Sequence, residues 1–136
     1  MVTYRLGPAA RLLGVSVDTV RRYADSGRLN AARTRGQHRL IDGADLARLA
    51  ESLHEDRAGG DSSARNRLLG IVTRVVSDKV AAQVELRCGP FRIVSLLTSE
   101  AVESLGLAPG VMACAVVKAT NVVVELAEQP VGHASE

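Results

Sequence analysis

Large rings are nearly missing from this chain, which has two Tyr, one Phe and no Trp in 136 residues. Any core must therefore be built from Val, Leu, Ile and Ala, and so small a supply of bulky groups points to help from oligomerisation. Cysteine is scarce as well. Cys88 and Cys114 stand alone, without CxxC or Cys/His spacing, which excludes a zinc ribbon or a disulfide framework and makes both expected small core residues. No run of about 18 uncharged apolar residues occurs, and no basic region followed by an apolar stretch opens the chain, so neither a membrane span nor a signal peptide is expected. The expected location is cytoplasmic. Paired catalytic carboxylates, an activated Ser or Cys and a Gly-rich nucleotide loop are all missing, which argues against an enzyme. The excess of one charge sign is small, +2 overall, and implies no nucleic acid by itself.

The distribution of charge says more than its total. Between Val17 and Leu40 lie six arginines (Arg21, Arg22, Arg28, Arg33, Arg35, Arg39) against two acids, Asp18 and Asp25. A local basic patch of this kind is what a phosphate backbone meets.

The period of the apolar pattern changes once, from helical spacing before residue 55 to alternation after residue 68. Between them, Glu55 to Ser62 is polar and carries Gly59 and Gly60. The expected division is a helical module at 1–56, a linker at 57–62, a strand-rich module at 63–128 and a tail at 129–136.

In the first module Pro8 suits a first helical turn and Gly14 ends a short helix from Gly7 to Leu13. Ser16 is placed to N-cap a second helix in which Val17, Val20 and Ala24 share a face. Gly27 closes it. Two short extended runs, Ala31–Thr34 and Gln37–Ile41, flank an Arg35-Gly36 turn, and Asp42 caps a third helix carrying Leu46, Leu49 and Leu53 inward. Helix, tight turn, helix, basic hairpin, helix is the layout of a winged helix-turn-helix.

The string from Ala10 through Gly14-Val-Ser-Val-Asp-Thr-Val-Arg-Arg-Tyr23, then Gly27-Arg-Leu29, then Arg33-Thr-Arg-Gly-Gln-His-Arg39 resembles the DNA-binding domain of the MerR and excisionase-like superfamily over about residues 3 to 54. The resemblance implies a second helix in the major groove of double-stranded DNA and a wing against the backbone or minor groove. The implied contacts are Thr19, Arg21, Arg22 and Tyr23, with Ser16 at the helix start, and Arg33, Thr34, His38 and Arg39 on the wing. The long carboxy-terminal dimerisation helix of MerR proper has no counterpart here.

From Leu69 onward five runs have strand character: Gly70–Ser77, Val80–Arg87, Phe91–Leu97, Val111–Lys118 and Asn121–Leu126. In the second, Ala82, Val84 and Leu86 share one face and Gln83, Glu85 and Arg87 the other. Ser99–Leu105 is expected as a short helix, capped by Thr98 or Ser99 and ended by Gly106. Three strands, a helix and two strands is the order of an OB-type barrel. The fold class is then α+β: a winged helix-turn-helix followed by an OB-like small β-barrel with one short helix. Phe91 alone cannot provide the stacked aromatics of a nucleic-acid-binding barrel. The module instead offers Ser63-Ala64-Arg65-Asn66, Thr98-Ser99 and Lys118-Ala119, whose hydroxyls, amides and cations suit an oxyanion.

Ser63-Ala-Arg-Asn-Arg-Leu-Leu-Gly70, the alternating Val80–Leu86 run, Leu97-Thr98, Pro109-Gly110 and Val117-Lys-Ala119 together resemble the Mop domain, a TOBE-type module of molybdate-responsive proteins. The resemblance implies molybdate or tungstate held between subunits of a homo-oligomer by Ser63, Arg65 and the adjoining main chain of Ala64 and Asn66, by Thr98 and Ser99, and by Lys118 and Ala119. Two positions depart from the pattern. Ala101 stands where many Mop domains carry a serine, and Val80-Ala-Ala82 replaces Val-Asn-Ala. Loss of one hydroxyl donor to a charged partner weakens binding by roughly ten- to a hundredfold. The whole chain reads as a molybdate- or tungstate-responsive transcription regulator, with an oxyanion storage or buffering protein as the alternative.

Overall fold

The structure, a computed structural model, describes residues 2–36, 38–53 and 63–129. The expected linker, the tail from Pro130 onward and Gln37 lie outside the described residues. The chain divides into two compact units, Met1–Arg57 with Glu125–Glu136, and Ala58–Val124.

In the first unit a short strand β1 (Thr3–Tyr4) precedes α1 (Leu6–Leu13), α2 (Val17–Asp25), the hairpin β2 (Ala31–Arg33) and β3 (Arg39–Asp42), and α3 (Gly43–Ser52). Gly14 ends α1 at φ 72°, a left-handed conformation that favours glycine. Ser16 caps α2 by accepting the Thr19 backbone N–H at 3.1 Å. The strand order is β1-β3-β2, with Thr3 opposite Asp42 and Arg33 opposite Arg39. The strand at Thr3–Tyr4 was not anticipated by periodicity, because two residues carry none. Ala9, Ala10, Val20, Leu29, Ile41, Leu46 and Leu49 form the core, and Tyr4, Leu6 and Tyr23 pack against it. Asp45 ties this core's loop to α3 by accepting the Asn30 N–H at 2.7 Å and pairing with Arg48 at 2.8 Å.

Two expectations are corrected here. Asp42 occupies the N-cap position of α3 but makes no side-chain cap, since it lies in β3 opposite Thr3, and the Gly43 N–H donates to the Val2 carbonyl at 2.8 Å. Leu53 lies past the end of α3 and is exposed, so the inward stripe stops at Leu49.

In the second unit β4 (Asn66–Ser77), β5 (Ala81–Cys88), β6 (Phe91–Thr98), α4 (Ser99–Leu105) and β7 (Met112–Val117) follow in order. All pairs are antiparallel and the sheet order is β6-β5-β4-β7. A register shift between Val72 and Arg74 marks a bulge in β4, of the kind that increases local twist and lets a short sheet curl. The result is an OB-like half-barrel. Val72, Ala82, Val84, Leu86, Cys88 and Val102 form its core, with the predicted face of β5 inward. Cys114 is exposed, contrary to expectation, because its position in β7 alternates with the inward-facing Ala113 and Ala115. The expected fifth strand is also corrected. Ala119–Asn121 is a single turn of 3-10 helix, Val122 is extended, and the described residues from Val122 to Gln129 form no strand. β-branched residues favour an extended backbone, but a strand exists only against a partner edge.

Candidate functional site

The first unit gathers its cations in one place. The start of α1, the middle of α2 and the β2–β3 wing leave a cleft of about 440 Å³ lined by Arg5, Leu6, Gly7, Arg21, Arg33, His38 and Arg39. Three different stretches of sequence thus converge on one basic surface, which can receive a polyanion backbone. Arg5 and the start of α1 were not picked out from the sequence. The signal was there, a cation placed just before a helix whose first N–H groups have no intrahelical partner.

Of the nine expected DNA contacts, Arg21, Arg33, His38 and Arg39 line the cleft. Arg39 also has a positioning role: its guanidinium pairs with Asp25 at 2.6 Å and donates to the Arg21 carbonyl at 3.4 Å, which fastens the wing to α2. Arg21 pairs with Asp18 at 2.7 Å, and Arg22 donates to the Thr19 hydroxyl at 3.3 Å. Ser16 and Thr19 are coupled to each other through the cap, their hydroxyls 2.9 Å apart. Tyr23 is half-buried against the core with Arg28 stacked 4.8 Å above its ring, so its ring serves packing first. At the wing tip the Thr34 N–H donates to the His38 carbonyl at 2.8 Å, and the His38 N–H donates to the Thr34 hydroxyl at 3.3 Å. These bonds hold the turn that presents Arg35.

The second unit separates its polar groups into two clusters. Asn66 lies opposite Val117 in the β4–β7 ladder and its side-chain amide donates to the Val117 carbonyl at 3.1 Å. That pairing brings Ser63, Ala64, Arg65 and Asn66 alongside Lys118 and Ala119. Arg65 folds back to the Ser63 carbonyl at 3.3 Å, while Lys118 and Ala119 are exposed. Thr98 belongs elsewhere. It pairs with Ala81 at the opposite end of the sheet, next to the Ser77–Ala82 pair. The twelve residues of β4 that separate the clusters amount to about 35 Å of strand path.

At the Thr98 end, the Thr98 hydroxyl accepts the Ala101 N–H at 3.1 Å and so caps α4. Ser99 is committed elsewhere: its hydroxyl donates to the Asp78 carbonyl at 2.7 Å and is 3.1 Å from the Ala81 carbonyl. Its role is to join the β4–β5 turn to α4. Asp78 organises that turn by accepting the Val80 and Ala81 N–H groups, both at 2.8 Å. Those bonds, that from Ala81 foremost, hold the Asp78 carboxyl below its usual range. The hydrogen bond from Arg92 does the same for Glu85. Among the described residues no group of three or more His, Cys, Asp or Glu could hold a metal ion. None of the described helices is long and apolar enough to cross a membrane.

By fold, then, the chain joins a winged helix-turn-helix with a basic cleft to an OB-like half-barrel bearing two polar clusters. The comparisons agree: residues 4–54 match the family described as a helix-turn-helix domain, and residues 62–124 match the TOBE domain. The chain carries a helix-turn-helix domain followed by a TOBE domain. Among curated proteins nothing matches. Of solved structures, the chain is similar to a molybdate-binding protein from Sporomusa ovata at 32% identity, covering 48% of this chain and 98% of that one with a TM-score of 0.47. It is similar to MopII from Clostridium pasteurianum at 37% identity, covering 48% and 100% with a TM-score of 0.45. It also resembles the cytoplasmic molybdate-binding protein ModG in a molybdate-bound form, at 45% identity over 50% of this chain and 49% of that one, with a TM-score of 0.46.

Proposed function

We propose that this chain is a cytoplasmic DNA-binding transcription regulator that responds to molybdate, with tungstate as the alternative oxyanion. The observation that carries the regulatory half is the convergence of Arg5, Arg21, Arg33, His38 and Arg39 on one cleft, since a storage protein has no use for a preformed polyanion surface. Phosphate contacts from such a cleft give affinity and register, and the exposed face of α2 then meets base edges. Thr19, Arg21 and Arg22 are assigned to that face, Arg33, Thr34 and His38 to the backbone, and Arg39 to holding the wing.

The oxyanion half rests on the Ser-Ala-Arg-Asn and Val-Lys-Ala motifs and on the placement of their groups. Ser63, Arg65 and Lys118 supply hydroxyl and cations at one end of β4, and Thr98 supplies a hydroxyl at the other. One molybdate ion is far too small to span that distance, so a complete site takes one cluster from each of two copies. Ligand binding then stabilises one arrangement of subunits and alters how paired DNA-binding units fit their half-sites.

The test is a titration of the whole protein with molybdate, tungstate and sulfate, followed by duplex binding with and without the bound oxyanion. Tight molybdate binding that ignores sulfate, lost in Lys118→Ala, together with a change in duplex affinity, is the expected result. Molybdate binding with no retention of duplex at about 50 mM salt, where phosphate contacts are strongest, would establish the storage function instead.

A further inference from the structure

The outer face of the half-barrel carries a second concentration of arginine. Strands β4, β5 and β6 hold Arg67, Arg74, Arg87 and Arg92 against a single acid, Glu85. The register puts all of them on the face turned away from the core. Arg74 lies opposite Glu85, and Arg87 lies opposite both Ile71 and Arg92, so these side chains point to one side of the sheet. Arg67, four residues before Ile71 in β4, joins them. The arginines are exposed, while Ala82, Val84 and Leu86 of β5 alternate with Glu85 and Arg87 into the core. Three of the arginines gather about one carboxylate. Arg92 pairs with Glu85, whose side chain is only 13% exposed, and the Arg92 hydrogen bond foremost, helped by the charges of Arg74 and Arg87, holds the Glu85 carboxyl below its usual range.

This arrangement works against the sheet that bears it. Like charges directly opposite one another destabilise an antiparallel pair, and Arg87 and Arg92 are such a pair. Glu85 offsets one of the three cations around it, which leaves a surplus of two positive charges on three adjacent strands. A partner that brings regularly spaced negative charge removes the repulsion. We propose that this face is a second duplex-binding surface, in which Arg74 and Arg87 contact phosphates of the DNA held by the helix-turn-helix unit while Glu85 positions Arg92 beside them. Charge complementarity argues for the phosphate backbone, whose affinity comes from arginine and lysine without regard to sequence. A single strand fits poorly, because Phe91 is the sole aromatic on these strands and gives bases no stacking platform. Two or three such contacts are weak alone. They count when the same chain already grips the duplex, since covalent linkage raises the local concentration of the second surface to about millimolar. The inference rests on the DNA-binding reading above and extends it to the oxyanion-binding unit.

The experiment measures affinity of the full chain for a fluorescent random-sequence duplex by anisotropy, between about 50 and 200 mM salt. Each phosphate contact contributes about 0.9 to the slope of log affinity against log salt, so Arg74→Gln/Arg87→Gln is expected to lower the slope by about 1.8 per bound chain. Its deficit against the wild type then shrinks roughly tenfold across that range. Arg74→Lys/Arg87→Lys keeps the charges and is expected to keep the slope. The glutamine variant is also expected to unfold at the same or a higher denaturant concentration, because the opposed pair is gone. An unaltered slope in the glutamine variant overturns the proposal, and so does a lysine variant that loses the slope as fully. Should the double variant fail to fold, Arg74→Gln and Arg87→Gln are measured singly, each expected to lower the slope by about 0.9. Arg21→Ala separates the two readings: duplex binding that this variant weakens, with a slope indifferent to Arg74 and Arg87, overturns the second surface alone. A wild type that retains no duplex at about 50 mM salt overturns the DNA-binding reading and this inference together.

Discussion

At Gly70, in the middle of β4, a Cβ would stand 2.4 Å from the Arg87 carbonyl oxygen and 2.6 Å from the Cys88 sulfur. Backbone cannot yield as a flexible side chain can, so Gly70→Ala is expected to lower stability by about 1 to 3 kcal/mol through forced separation of β4 and β5, read as a lower midpoint in denaturant. Ser16 illustrates a gentler dependence. Its hydroxyl satisfies the Thr19 N–H, and Ser16→Ala is expected to cost about 1 kcal/mol while leaving the wing in place. Asp25 allows a test of sign. Removing an acid from a basic face raises duplex affinity if only net charge matters, but Asp25 anchors Arg39 and through it the wing. Asp25→Ala is therefore expected to weaken duplex binding by up to about fivefold, the range that a surface ion pair permits; stronger binding would show that the anchor is dispensable.

Between elements, the β4–β5 turn and the start of α4 form one hydrogen-bonded unit through Asp78 and Ser99. Because hydrogen bonding depresses the Asp78 carboxyl in the folded protein, its stabilising contribution is present above the ordinary Asp pKa of 3.8 and is lost as pH falls through the lower folded value. Glu85, depressed by Arg92, follows the same sign from its ordinary value of 4.5. Protection of the Val80 and Ala81 amides against exchange should therefore persist through the ordinary Asp value of 3.8 and be lost only at lower pH. In Asp78→Ala that acid-dependent step should vanish, with fast exchange at every pH. The contrast between Val80–Leu86 and Val122–Leu126 is instructive at this scale. Val122–Leu126 holds three valines in five residues and Val80–Leu86 only two in seven, yet from Ala81 onward the latter has strands on both sides and the former has none among the described residues. Periodicity reports a preference for extended backbone and does not report whether a partner edge is available.

For the molecule as a whole, the separation of Ser63, Arg65 and Lys118 from Thr98 along β4 makes a mixing experiment decisive. Lys118→Ala and Thr98→Ala are each expected to weaken molybdate binding by roughly ten- to a hundredfold. If every site draws one cluster from each of two copies, protein reassembled from equal amounts of both variants should recover about a quarter of its sites at full affinity, because half of the pairs are mixed and each has one intact site. Sites contained within single chains would show no recovery.

The amino-acid sequence by itself determined the two modules, the helix boundaries marked by Gly14, Ser16, Thr98 and Gly106, the inward face of β5 and the concentration of arginine near the wing. Those features arise from local effects, capping, glycine's access to positive φ and side-chain period, which neighbouring residues settle among themselves. Only the tertiary structure decided that Arg5 joins the wing arginines, that Arg39 and Ser99 hold backbone and partner groups in place, that Asp42 belongs to a strand rather than a cap, and that Cys114 faces outward. It alone also put Thr98 at the far end of β4 from Lys118 and left Val122–Leu126 without a partner edge among the described residues. Each of these depends on which distant segments meet, and contacts across tens of residues leave no local pattern in the chain that forms them.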